Sequence, residues 1–146
     1  MTRAIVLDTG PLGRIAHPRP NRDVAGWFER HLRRGAVFVI PEIADYELRR
    51  EFLRAGLQVS LTMLDSLGGA LLYLPLSTAT MRRAAELWAR MRTAHMPTAG
   101  EAALDADVIL AAQAEALAGD YSDVVVATEN VEHLDRMVPA RKWSDI

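Results

Sequence analysis

The sequence predicts an α/β protein with three α/β/α layers built on a central, mostly parallel sheet. Three observations carry this expectation. Short, continuous apolar runs recur at 4–7, 36–40, 70–74 and 123–128, the pattern of strands buried on both faces rather than one. Segments of helical periodicity lie between them, long enough for right-handed crossovers between parallel strands. The chain has 146 residues and 50% hydrophobic content, which suits a single domain over 1–146 with one substantial core.

Each element has its own justification. Residues 4–7 (AIVL) stop at Asp8-Thr9-Gly10-Pro11, which reads as a buried central strand ended by a turn. Asn21 is a good N-cap, and Val24, Trp27, Phe28 and Leu32 recur at helical spacing up to Gly35, so a helix is expected over 22–34. A second buried strand over 36–40 is closed by Pro41. Ala44, Leu48, Phe52 and Ala55 form an apolar stripe over 42–55 that ends at Gly56, and a further helix over 57–67 should end at Gly68-Gly69. After a third strand at 70–74, Ser77 or Thr78 caps a helix whose expected buried stripe is Met81, Ala84, Ala85, Trp88 and Met91. A loop with Pro97 and Gly100 covers 95–100. Residues 104–117 are alanine-rich and apolar nearly all round, the composition of a helix packed inside the domain. A fourth strand covers 123–128, and 136–146 fits either an edge strand or a tail.

Composition excludes several classes of chemistry. Lys+Arg 17 against Asp+Glu 19 gives a net charge of -2, so no overall positive field holds nucleic acid and any polyanion must be bound locally. With Cys 0 there is no disulfide framework, thiolate zinc site or cysteine nucleophile. His17, His31, His95 and His133 show no i, i+4 pairing, which argues against a histidine metal site. The N-terminus turns charged before the apolar region of a signal peptide, about 7–15 residues, could form. No stretch approaches the roughly 18 apolar residues of a membrane span, and the expectation is a soluble, cytoplasmic protein.

The carboxylates are the informative residues. In open parallel sheets ligands bind beyond the carboxyl ends of the strands, and Asp8 falls there. It suits a hard cation such as Mg²⁺ or Mn²⁺, or equally the capping of the following turn. Glu47 lies at the edge of its helix's apolar stripe, pointing along the top of the sheet or, as for most helix glutamates, pairing with a neighbouring arginine. Asp105 and Asp107 stand at the expected start of the alanine-rich helix, where the dipole favours negative charge without any function. Asp105 as N-cap leaves Asp107 as the better ligand, sharing a face with the small Ala111 and Ala114. Thr128-Glu129-Asn130 puts a hydroxyl, a carboxylate and an amide at the same end of the sheet.

Taken together, Ile5-Val6-Leu7-Asp8-Thr9-Gly10-Pro11-Leu12, the helix glutamate in Glu42-Ile43-Ala44-Asp45-Tyr46-Glu47-Leu48-Arg49-Arg50, Asp107-Val108-Ile109-Leu110-Ala111-Ala112-Gln113-Ala114, and Val126-Ala127-Thr128-Glu129-Asn130-Val131-Glu132-His133-Leu134 resemble the motifs of PIN-domain ribonucleases, and more narrowly VapC-type toxins of toxin–antitoxin pairs. The resemblance runs from Arg3 to about Arg136 with the motifs in family order. It implies a PIN-like sheet between helices, and Asp8, Glu47 and Asp107 as the acidic catalytic core holding Mg²⁺ or Mn²⁺ for RNA hydrolysis. It further implies Thr9 as an accessory hydroxyl, a cognate antitoxin and a homodimer. The fourth acidic position of many relatives matches Asn130 here, which bears on whether a second metal is held; Asp105 is the candidate to compensate. Clustered acids repel RNA, so nearby cations are needed, and Arg14, Arg19, Arg49, Arg50 and Arg54 are candidates for phosphate contacts. The run Arg30-His31-Leu32-Arg33-Arg34 ends a helix, where basic residues are expected from the dipole alone.

Two rivals share the opening strand and Asp. A haloacid-dehalogenase-like phosphatase carries a second acid two residues on, where this chain has Gly10, and a catalytic lysine, whereas Lys142 is the only lysine. A catalytically inactive PIN-fold module binding RNA or a partner is the other, because fold and function separate readily.

Overall fold

The computed structural model describes residues 2–94 and 101–146, so the loop expected over 95–100 lies outside the described residues. Five strands, β1 (Arg3–Leu7), β2 (Val37–Pro41), β3 (Leu72–Leu74), β4 (Asp123–Ala127) and β5 (Ala140–Arg141), form one sheet in the order β3-β2-β1-β4-β5. Every pair is parallel. The expected three-layer fold is therefore present, with the first strand at its centre, and the final segment supplies an edge strand.

Alternation along β1 builds the two outer layers, because successive side chains of a strand point to opposite faces. Ala4 and Val6 pack with Ala84, Leu87 and Met91 of α5 (Thr78–Thr93) and with Val108 and Ala111 of α6 (Glu101–Glu115). Ile5 and Leu7 pack on the other side with α1 (Thr9–Ile15), α2 (Arg22–Arg33), α3 (Glu42–Ala55) and α4 (Gln58–Ala70), through Leu12, Val24, Ala44 and Leu64. A short α7 (Val131–Leu134) and a closing 3₁₀ turn (Trp143–Asp145) complete the described elements.

The structure departs from the sequence expectations at several places. Asp8-Thr9-Gly10-Pro11 opens a helix rather than a turn: Asp8 accepts a hydrogen bond from the Thr9 N–H, and a proline in the first turn removes an N–H that has no partner in the helix anyway. Helix α4 continues through Gly68 and Gly69 to Ala70, which shortens the third strand. The α5 stripe is rotated, with Thr80, Ala84, Leu87 and Met91 buried and Met81 and Trp88 left 43% and 39% exposed. On α2, His31 is buried and Leu32 exposed, the reverse of their polarity.

The alanine-rich α6 is buried as expected, and its Gln113 is fully enclosed. Its amide donates to the Leu74 carbonyl at 2.8 Å and accepts from the Ile43 N–H at 3.2 Å. A buried amide must satisfy both ends, and here doing so fixes α6 against the start of α3 and the end of β3.

Candidate active site at the carboxyl end of the sheet

The register of the central strands determines the site. Leu7 pairs with Ala127, and the Asp8 N–H continues the ladder to the Ala127 carbonyl at 3.0 Å, so Asp8 and Thr128 emerge side by side. Both oxygens of Asp8 are held: Oδ1 accepts from the Thr9 N–H at 2.7 Å, and Oδ2 from the Thr128 hydroxyl at 2.8 Å. Asp8 thus caps α1 and faces the site at once. The Thr9 hydroxyl stands 3.4 Å from Oδ1, a much weaker contact.

Thr128 is completely buried and also accepts from the Asn130 N–H at 2.8 Å. The Asn130 side-chain amide in turn donates to Asp107 Oδ2 at 3.3 Å. A continuous chain of hydrogen bonds, from Asp8 through Thr128 and Asn130 to Asp107, therefore joins the end of β1 to α6.

Electrostatics place Glu47 with this pair. Burial first, then the charges of Asp8 and Glu47, push Asp107 from 3.8 up to about 7. Glu47 is raised above the usual carboxylate range by burial and then by Asp8, against the opposing pull of Arg50. Like charges brought together out of water disfavour ionisation in this way. Among the described residues, no three acidic, histidine or cysteine side chains converge closely enough as they stand to enclose a metal ion.

Asp105 does not join them. Helix α6 begins at Glu101 rather than at Asp105, which puts Asp105 inside the helix, where residues two apart face opposite ways. Asp105 is exposed and lines a groove with Met81, Trp88 and Ile109. Asp107 is likewise not in the first turn, so a dipole explanation does not apply to it.

The basic candidates divide. Arg50 Nη2 is 3.8 Å from Glu47 and its guanidinium lies 5.2 Å over the Tyr46 ring. Arg14 pairs with Glu129 at 3.1 Å beside a cavity of about 430 Å³ that also takes in Gly10, His17 and Arg19. Arg49 instead binds the buried Asp45 at 2.8 Å and Asp65 at 2.7 Å, so it secures α3 to α4 and leaves the set of phosphate contacts. Arg54 pairs with Glu51 at 2.9 Å on the exposed end of α3, about two helical turns beyond Glu47.

Two positions carry more than sequence reasoning assigned them. Thr128 positions Asp8, which only the strand register reveals. Gly10 packs under Glu129: a Cβ there would lie 2.7 Å from Glu129 Cγ, so glycine is what lets Glu129 reach Arg14.

A wholly parallel sheet between helix layers, with Asp8 just after β1, Glu47 on α3 and Asp107 on α6 gathered toward its carboxyl end, has the PIN-like class of fold. No family model and no curated protein matches the chain. Solved structures do. The chain is similar to VapBC2 from Rickettsia felis bound to a DNA fragment from their promoter, with TM-score 0.73 and 17% identity over 96% of this chain and 98% of that one. It is similar to FitAcB from Neisseria gonorrhoeae, with TM-score 0.65 and 20% identity over 97% and 99% of the two chains. VapBC-1 from nontypeable Haemophilus influenzae follows with TM-score 0.61 and 16% identity over 97% and 98%.

Proposed function

We propose that the chain is a Mg²⁺- or Mn²⁺-dependent ribonuclease, the toxin of a toxin–antitoxin pair. The observation that carries this reading is the hydrogen-bonded chain that ties Asp8 to Asp107 across Thr128 and Asn130, with Glu47 close enough to act on the same charges. Similarity to structures of VapBC and FitAB complexes supports the fold on which such a toxin is built.

The donor set fits a hard cation. It is entirely oxygen, and each oxygen of Asp8 spends one bond on its protein partner while keeping further acceptor capacity. Asp8, Glu47 and Asp107 are the residues that would hold the ion, which supplies an activated water and offsets the charge developing on a phosphodiester. The rest falls to the chain. Thr128 and the Thr9 N–H fix the direction of Asp8, Asn130 fixes Asp107, and Arg50, 3.8 Å from Glu47, and Arg14, paired with Glu129, offer guanidinium groups suited to phosphate oxygens. Asn130, in place of a fourth acid, contributes an amide donor, which favours one tightly held ion over two.

A second reading, a partner-binding module without catalysis, has one observation in its favour: the carboxylates do not enclose a metal site as they stand. Incubation of RNA with the chain separates the two. Cleavage in Mg²⁺ or Mn²⁺ that stops in EDTA and in Asp8→Asn supports the nuclease, and cleavage undiminished in chelator, or none in any divalent metal, refutes it. An antitoxin partner and a homodimer belong to the same proposal. No helix among the described residues is long and apolar enough to cross a membrane.

A further inference from the structure

The opposite end of the sheet carries a second polar cavity, of about 340 Å³, lined by Thr2, Arg3, His31, Arg34, Gly35 and Ala36. It lies at the amino end of β1, a strand of 5 residues, so about 17 Å of strand separates it from the acidic cluster at ~3.3 Å per residue.

His31 is the unexpected member. It is only 8% exposed, packed edge-on to Trp27 and Phe38 with ring centroids at 5.5 and 6.4 Å, and neither ring nitrogen has a hydrogen-bond partner among the described residues. Yet the side-chain nitrogen that is fully enclosed without a partner is Trp27 Nε1, not His31. The imidazole nitrogens are therefore reached by solvent, and the solvent space His31 lines is this cavity. An imidazole whose nitrogens no described protein group engages and that opens onto a polar cavity keeps its N–H for what enters that cavity.

The surrounding charge states which acceptor. Arg34, Arg3 and Arg30 all act on His31 and, after burial, hold its proton affinity below the ordinary value. Arg3 is paired, with Asp123 at 2.6 Å; Arg30 and Arg34 have no acidic partner among the described residues. Three guanidinium groups against one carboxylate leave a net positive charge of two. The half-charge of the α2 C-terminus does not cancel this, and the carbonyls there already accept from the N–H groups of Arg34, Gly35 and Ala36 at 3.2, 3.0 and 3.0 Å.

We propose that this cavity binds a phosphate group, with Arg34 and Arg3 supplying guanidinium donors from its rim and His31 an imidazole N–H from its floor. Planar guanidinium forks match phosphate oxygens two at a time, and a cavity of this volume falls in the range of small-ligand sites, about 300–1,000 Å³. The site is separate from the carboxyl-end cluster, so phosphate binding and RNA cleavage stand or fall independently.

The test is a titration of inorganic phosphate, then of a nucleoside 5′-monophosphate, into the full chain in EDTA, followed by the His31 imidazole resonances in NMR spectra. These resonances are assigned by their loss in His31→Gln. A saturable shift is expected, with affinity falling at least about tenfold in Arg34→Ala, the loss of one charge-assisted contact, and unchanged in Arg54→Ala, which removes the same charge elsewhere. Both arginines are on the surface, so both variants keep the fold. A short RNA that displaces phosphate assigns the group to a nucleic-acid strand, and one that leaves it bound assigns it to a small phosphorylated molecule; either supports the site. No saturation by about 10 mM phosphate, or equal losses in Arg34→Ala and Arg54→Ala, overturns it.

Discussion

Replacing Asp107 by Asn tests the acidic cluster without disturbing its shape. The amide keeps an oxygen to accept from Asn130, which donates at 3.3 Å in the native chain, while removing the charge that burial, Asp8 and Glu47 oppose. The rise of Asp107 from 3.8 to about 7, at about 1.4 kcal/mol per tenfold change in proton affinity, sets a ceiling of about 4 kcal/mol. Asp107 is only partly buried, so solvent screening reduces the expected gain to about 1–2 kcal/mol, or roughly 2–8 °C in melting temperature. The sign follows from linkage. The unfolded carboxyl loses its proton near 3.8 and the folded one near 7, so between these values the folded state binds more protons and native stability falls as pH rises. The advantage of Asp107→Asn in EDTA is therefore full above pH 7, shrinks as pH falls, and is gone below about pH 4. Adding Mg²⁺ stabilises the native chain and not the variant, because only an ion bound to the folded state shifts the melt. RNA cleavage falls by orders of magnitude. A variant less stable than the native chain at pH 8 in EDTA, or one that cleaves normally, refutes the placement of Asp107 among the acids.

Two further substitutions separate positioning from scaffold. Thr128→Val removes the hydroxyl that holds Asp8 and Asn130 and should cost about 1–3 kcal/mol with a marked loss of cleavage, whereas Thr128→Ser restores both; a valine variant that cleaves at the native rate contradicts the role. Arg49→Ala leaves the buried Asp45 without its ion pair and should cost about 1–3 kcal/mol in urea unfolding with cleavage per folded molecule unchanged. A selective loss of RNA affinity instead would return Arg49 to the phosphate contacts.

How far the sequence reveals the fold depends on the range of the interaction concerned. Continuous apolar runs identify buried strands because both faces of a parallel sheet are covered, and β1, β2 and β4 lie where those runs are. The α5 stripe was misplaced because periodicity fixes its spacing and not its centre. Ala84 and Met91 are buried as expected, while Leu87 and Thr80 join them in place of Met81, Ala85 and Trp88, a choice made by packing against α6. Helix α1 was hidden because Asp-Thr-Gly-Pro serves equally as a turn and as a capped helix start, and Leu12 and Ile15 decide it by burial. Asp45 and Arg49 stand at i, i+4 in the sequence, but the contact to Asp65 that completes the ion pairs needs α4 folded back alongside.

The same distinction explains which site residues were legible. Asp8 could be read from strand logic, since a carboxylate after a central parallel strand must fall where ligands bind. Asp105 and Asp107 could not be separated by local signals, because each suits a helix start; the start at Glu101 turns one toward the groove beside α5 and the other toward Asp8. Thr128 depends on register alone, for the pairing of Leu7 with Ala127 brings a residue 120 positions away within 2.8 Å of Asp8. Asp8 and Asp107 are oriented by neutral donors, Thr128 and Asn130. The nearby arginines do not neutralise the cluster: Arg14 is taken by Glu129, and Arg50 approaches Glu47 only to 3.8 Å. Neutral donors fix direction while leaving the repulsion in place, which is the arrangement a cation-binding site requires. An Arg seated among the three carboxylates would relieve that repulsion and close the site.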